Sequence, residues 1–127
     1  MEITVTSGVE ATLLEEADRA HPLECCGLLL GRDATITAAQ PVSNVHPDPS
    51  CHFELDPAAL IAAHRAARTG GPQVIGYYHS HPNGLARPSA TDQAAASGDG
   101  RVWAIVARGA VTWWRDGPQG FEALRRR

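Results

Sequence analysis

The stretch from Val74 to Asp92 restricts this chain more than any other. Val74-Ile75-Gly76-Tyr77-Tyr78 is an apolar run of strand length, apolar on both faces, and it ends in His79-Ser80-His81. A strand of that kind belongs at the centre of a covered sheet. Side chains on an extended segment alternate with period two, so the two imidazoles share a face and can grip one ion. Pro82 to Pro88 is rich in breakers and can fold back over the strand end, which makes Asp92 the natural third ligand. Two imidazoles and one carboxylate leave a tetrahedral zinc with one open position, the arrangement of a catalytic site. Ser89-Ala90-Thr91-Asp92 also fits the start of a helix, with Ser89 as N-cap and Asp92 in the first turn, where a carboxylate favours the positive end of the dipole. The two uses are compatible, because a first-turn side chain can still point at an ion. The histidine pair alone is weak evidence, whereas the whole spacing of HxH, seven residues, Ser, two residues, Asp is much sharper.

At these residues the sequence resembles a known family. His79-Ser80-His81, Ser89 and Asp92 resemble the JAMM (MPN+) metalloprotease signature, in which an upstream Glu precedes HS/TH, seven residues, Ser, two residues and Asp. Glu24 fits the upstream Glu, and Pro22-Leu23-Glu24-Cys25-Cys26-Gly27-Leu28-Leu29-Leu30-Gly31 looks like the PxExCGLLxG segment of the short bacterial members. Asn44, Phe53 and Asp56 also resemble the pattern between the two blocks. The resemblance runs from about residue 3 to residue 115 and lacks the long insertions of the eukaryotic deubiquitinating members.

The resemblance implies an α/β fold, a mixed sheet covered by helices in the cytidine-deaminase-like three-layer arrangement. It implies Zn2+ on His79, His81 and Asp92, where the metal would acidify water and polarise a scissile carbonyl. Glu24 is then the general base and acid, Ser89 a donor to the developing oxyanion or to the metal-bound water, and Asn44 and Ser80 supporting residues. The implied activity is that of a zinc isopeptidase or peptidase cutting after the Gly-Gly tail of a small β-grasp, ubiquitin-like or sulfur-carrier protein. Two alternatives keep the same fold: a non-catalytic MPN scaffold, and a zinc hydrolase of other peptides, of cell-wall or phage-tail type. The deaminases themselves are a poorer match, because their Pro-Cys-x-x-Cys ligand pair is absent.

Composition narrows the setting. A chain of 127 residues, 43% apolar, is expected to form one domain over residues 1–127. A net charge of -3 offers no basic footprint for nucleic acid, and the one cationic run, Arg125-Arg126-Arg127, reads as a solvated tail. No stretch of 18 apolar residues offers a membrane span, and Met1 to Val5 has neither a basic nor an apolar leader region, so a soluble, cytoplasmic protein is expected. Cys25, Cys26 and Cys51 make an odd set with adjacent members, unlike a disulfide framework or a CxxC zinc site.

In chain order, Ile3-Thr4-Val5 reads as a short strand, possible at an edge, and Val9, Leu13, Ala17 and Ala20 recur at helical spacing up to His21-Pro22. Cys25 to Leu30 and Ala34 to Ala39 form a hairpin with Glu24 at its mouth, an expensive place for a charge without a partner or a task. Residues 42–51 read as an ordered loop and His52-Phe53-Glu54 as a short strand. Asp56-Pro57 starts a helix to about Arg68 that is expected to bury Leu60, Ile61 and Ala67. His21, His46, His52 and His64 read as structural or exposed. A short helix covers Thr91 to Ser97, Val102–Ala107 and Ala110–Arg115 form a hairpin through Arg108-Gly109, and residues 118–124 add an edge strand. The tryptophans are expected to pack rather than to bind a ligand.

Overall fold

The computed structural model describes residues 2–127. Its elements are β1 (Glu2–Val5), α1 (Val9–Ala20), β2 (Cys26–Arg32), β3 (Thr35–Val42), α2 (Pro57–Arg68), β4 (Gln73–Ser80), α3 (Ala90–Ala95), β5 (Val102–Ala107), β6 (Ala110–Gly117) and β7 (Gly120–Arg126). Central β4 runs antiparallel to β2 and parallel to β5. The mixed sheet with helices packed on it is the one expected.

The sheet has no free end. Its order is β1-β3-β2-β4-β5-β6-β7, and β1 pairs in parallel with both β3 and β7, closing the ring. The two segments expected at edges, residues 3–5 and 118–124, are therefore the seam, which removes the unpaired backbone groups an edge would present. The basic tail is also corrected. Arg125 and Arg126 lie in β7 opposite Glu2 and Ile3, and the Arg127 N–H donates to the Ile3 carbonyl at 2.8 Å. Backbone pairing is indifferent to the side chains it carries, and Arg126 lies 3.2 Å from Glu10 of α1.

Helix α1 covers the main core. Its Val9 and Leu13 are buried with Ile3, Val5, Leu29, Ile36 and Tyr78. Trp113 of β6 packs in the same core and donates its indole N–H to Glu10 at 3.0 Å. Along β4 the alternation separates two environments. Tyr78 belongs to that core, whereas Tyr77 and His79 meet Trp103 of β5 edge-on at 6.3 and 5.7 Å. Gly76 lets β5 approach, since a Cβ there would fall 1.7 Å from the Val102 carbonyl oxygen.

Two local expectations fail. Helix α2 begins as anticipated, with Asp56 accepting from the Ala58 N–H at 3.0 Å and Pro57 at its first position. It buries no residue, however, and Ile61 is 56% exposed. The helix lies against β4 rather than in the main core, so its apolar stripe is only partly covered. His52-Phe53-Glu54 is not a strand either; only an isolated bridge joins Asn44 to Leu55. The Asn44 side chain takes the place of a partner strand. Its amide donates to the carbonyls of Glu24 (3.1 Å) and His52 (3.0 Å), and its oxygen accepts from the N–H groups of His46 (3.1 Å) and Glu54 (3.0 Å).

The loop after α3 hangs on one buried carboxylate. Asp116, 2% exposed, accepts from the N–H groups of Ser97 and Gly98, each at 3.0 Å. Asp116→Ala should destabilise the fold by about 2–3 kcal/mol, because two donors lose a charged acceptor. Asp116→Asn, which keeps one acceptor, should cost less. Urea denaturation of both variants checks the ranking, and equal stability of Ala and wild type would refute it.

Candidate metal centre

Two distant segments meet where β2 starts and β4 ends. Cys26 stands opposite His79, and beyond this last pair Cys25 and Ser80 exchange two hydrogen bonds. The Ser80 N–H donates to the Cys25 carbonyl at 3.1 Å, and the Cys25 N–H donates to Ser80 Oγ at 2.9 Å. Glu24 is the next residue out. Its N–H donates to the Pro49 carbonyl at 2.8 Å and its carbonyl accepts from Asn44, so the loop after β3 holds its backbone from the other side. The carboxyl group is left at the mouth, on a residue only 7% exposed.

His79, His81 and Asp92 converge beside it, all buried. His79 Nε2 and His81 Nε2 are 2.9 Å apart, Asp92 Oδ1 is 3.1 Å from the first and Oδ2 is 3.0 Å from the second. Asp92 reaches this position from the first turn of α3. There Ser89 Oγ accepts from the Asp92 N–H at 3.0 Å, and Asp92 Oδ2 accepts from the Ser89 N–H at 2.9 Å, a reciprocal capping box. The cap uses the Ser89 oxygen as acceptor and leaves its hydroxyl proton free to donate. Capping and ligation thus coexist in one carboxylate.

The donor set suits a small divalent cation. His81 Nδ1 lies 2.7 Å from the Leu85 carbonyl, a contact that makes Nδ1 the protonated nitrogen and leaves the Nε2 lone pair facing the cluster. Two nitrogen lone pairs and a carboxylate at such distances repel unless a proton or cation lies between them. Tetrahedral zinc, with bonds near 2.0–2.1 Å, spaces nitrogen and oxygen ligands roughly 3.3–3.4 Å apart, close to what is found. His79 has no such backbone partner: its Nδ1 is buried without a hydrogen bond among the described residues. Its ring is set by packing instead, stacked on Phe53 at 4.3 Å with the edge of Trp103 beside it.

The electrostatics follow from burial. Desolvation lowers the His79 pKa and keeps the ring neutral. Burial also opposes charge on His81, but its contacts with Asp92 and the Leu85 carbonyl outweigh that and raise its pKa. Burial works against the Asp92 carboxylate too, yet the two imidazoles and the Ser89 N–H hold its pKa well below the usual carboxylate range. Glu24 behaves oppositely. Burial raises its pKa from 4.5 to about 7, with His81 lowering it and Asp92 raising it to a smaller extent.

Two cavities adjoin the cluster. One of about 420 Å³ is lined by Glu24, Ser50, Cys51, His81, Arg87 and Ser89 among others. A narrower one of about 200 Å³ runs past Glu24, Phe53, Tyr77, Thr91, Asp92 and Trp103. Glu24, Cys51 and Thr91 border both, so a chain passing between the cavities passes Glu24. The structure therefore gathers Glu24, His79, His81, Ser89 and Asp92, and places Asn44 and Ser80 as braces of the Glu24 backbone and of the β2–β4 register. Three contributors were not assigned from sequence: the Leu85 carbonyl on His81, the Phe53 ring on His79, and Asp116 under the loop after α3. A backbone carbonyl carries no sequence signal at all, and Phe53, although it fits the pattern between the two motif blocks, carries nothing in the sequence that names its partner.

Comparison with known proteins places the chain among relatives. The family of prokaryotic homologs of the JAB domain matches residues 6–116. A desampylase of Haloferax volcanii is 46% identical over 88 residues, covering 68% of this chain and 63% of the relative. A probable TtuB-protein conjugate cleaving protease of Thermus thermophilus is 42% identical over 85 residues, covering 63% and 56%. The chain thus spans less than two thirds of the length of either relative. A solution structure of a protein from Desulfitobacterium hafniense superposes with a TM-score of 0.85 at 29% identity, over 98% of this chain and 91% of that one. The chain belongs to the family of prokaryotic JAB-domain homologs, the JAMM/MPN group its signature resembles.

Proposed function

We propose that this protein is a zinc-dependent isopeptidase or peptidase that cleaves after the Gly-Gly tail of a small ubiquitin-like or sulfur-carrier protein. The observation that carries the reading is the buried His79, His81 and Asp92 set with the Glu24 carboxyl in the adjoining cavities. The substrate class draws support from the two relatives, one a desampylase and the other a conjugate-cleaving protease by name. A non-catalytic scaffold would not need this set and Glu24 assembled together. Free Cys25, Cys26 and Cys51 favour a cytoplasmic setting.

In this reading His79 Nε2, His81 Nε2 and an Asp92 oxygen hold the metal. Bound there, zinc supplies a Lewis acid that polarises the scissile carbonyl and makes water a competent nucleophile near neutral pH. Glu24 takes the proton from the attacking water and returns it to the leaving amine. A carboxyl whose pKa burial has lifted to about 7 is matched to both halves of that transfer. The free Ser89 proton donates to the oxyanion as it develops. The smaller cavity, which Phe53, Tyr77 and Trp103 help to line, and the wider one offer room for chain on either side of the scissile bond, and glycines at the cut let a backbone approach closely.

Two outcomes test this. Zinc-loaded Glu24→Gln should retain as much metal as wild type while turnover of a Gly-Gly-linked conjugate falls by roughly two to four orders of magnitude, and a chelator should abolish wild-type turnover. Elemental analysis beside the cleavage rate checks both; full zinc with a wild-type rate would remove Glu24 from the mechanism. The second outcome concerns stability without metal. A carboxyl whose folded pKa is raised stabilises the fold fully below its unfolded value of 4.5, and that contribution is lost as pH rises through about 7. Metal-free Glu24→Gln lacks this loss, so from below pH 4.5 to above pH 7 it should gain on wild type by on the order of 2–3 kcal/mol. Urea denaturation of chelator-treated proteins at the two extremes measures it, and a pH-independent difference would contradict the burial of Glu24.

A further inference from the structure

The loop that holds Glu24 carries a second group of metal-binding side chains. Cys51 Sγ lies 3.1 Å from Asp48 Oδ2 and 3.1 Å from His52 Nδ1, and His52 Nδ1 lies 3.7 Å from Asp48 Oδ2. A local turn creates the grouping. The His52 N–H donates to the Asp48 carbonyl at 3.2 Å, a single helix-like turn that brings residues 48, 51 and 52 to one side, with Pro47 and Pro49 restricting the backbone.

The donors are also oriented. Ser50 Oγ donates to Asp48 Oδ1 at 2.9 Å, which leaves Oδ2 facing the thiol. The His46 ring stacks on His52 with centroids 4.6 Å apart and planes 7° from parallel, and His46 Nδ1 accepts from the Asp48 N–H at 2.9 Å. Outer contacts of this kind hold ligands in place around a metal. Zinc bonds of about 2.3 Å to sulfur and about 2.0 Å to nitrogen and oxygen space tetrahedral ligands roughly 3.3–3.6 Å apart, so each donor pair here needs to change by only about 0.4 Å. A mixed sulfur, nitrogen and oxygen set favours a borderline transition ion over magnesium or calcium.

We propose that Asp48, Cys51 and His52 form a second, thiolate-bearing site for a divalent transition ion such as zinc. Three protein ligands leave one position for water. The site stands beside Glu24: Pro49, within the same turn, accepts the Glu24 N–H, and Cys51 borders both cavities. An ion there clamps the turn that fixes the Glu24 backbone. The set shares no residue with His79, His81 and Asp92 and stands independently of the function proposed for them.

Cobalt(II) titration of chelator-stripped, reduced full-length protein tests it, because only a thiolate ligand gives a near-ultraviolet sulfur-to-cobalt charge-transfer band. Wild type should take two cobalt ions per chain and show the band. Cys51→Ser, at an exposed position, should take one ion and show no band, and Asp48→Asn, also exposed, should fill the second site only partly and show a weakened band. Bound cobalt should also slow modification of Cys51 by a thiol reagent, a clean readout because Cys25 and Cys26 are buried. Asp92→Asn should lose an ion and keep the band. Wild type without the band, or a band unchanged in Cys51→Ser, would overturn the proposal. A band with a single ion per chain would support this site and count against the His79, His81 and Asp92 set instead.

Discussion

The reciprocal pairing of Cys25 with Ser80 is the contact on which the arrangement depends. Residues 55 positions apart are locked by two hydrogen bonds at the open end of the β2–β4 ladder, and the side chains on either side inherit their places from it. Glu24 follows Cys25 outward, while His79 and His81 flank Ser80 on the opposite face of β4. Strand alternation does the rest. A shift of one residue would turn both histidines towards the α1 core and Ser80 towards the cavities. Register is protected because β4 is paired on both sides, with β2 and β5, and because Gly76 allows the close approach that β5 requires.

Burying this many ionisable groups is costly, and the fold compensates by giving groups several tasks at once. The Asp92 carboxylate caps α3, faces two imidazoles and thereby stays ionised in a site that would otherwise neutralise it. Ser89 accepts for the cap with its oxygen and keeps its proton. Asn44 replaces an entire strand partner by satisfying four backbone groups with one amide. Glu24 is the exception. Its backbone is fully held but its carboxyl group is left desolvated beside the cluster, and a group kept short of partners is one that can exchange a proton near neutral pH.

The proposed second site would give the same loop another role. Residues 44–55 form no regular strand, yet they brace Glu24 through Asn44 and Pro49 and set Phe53 against His79. The Asp48, Cys51 and His52 turn adds donors of another kind a few residues from the mouth. A loop held by side-chain hydrogen bonds rather than by a ladder can be stiffened by an ion more readily than a strand can.

Much of this was legible in the residues themselves. Period-two alternation puts two histidines of an HxH pair on one face, and a Ser-x-x-Asp start puts a carboxylate in the first turn of a helix; both are local rules that need no fold. Helix α1, the caps of α2 and α3, and the Arg108-Gly109 hairpin follow from the same short-range chemistry, with Arg108 and Gly109 both at positive φ. Sequence could not say that residues 2–5 and 120–126 close the sheet, that Arg125 to Arg127 pair rather than trail, or that α2 is left with a half-covered stripe. Those outcomes rest on backbone hydrogen bonds and on which surfaces remain to be covered, and neither depends on side-chain pattern alone. The approach of Glu24 to the histidines came from resemblance, not from spacing; the physical cause is long-range strand pairing. The Leu85 carbonyl contact and the Phe53 stack were settled only by tertiary structure, because they depend on where a folded loop comes to rest.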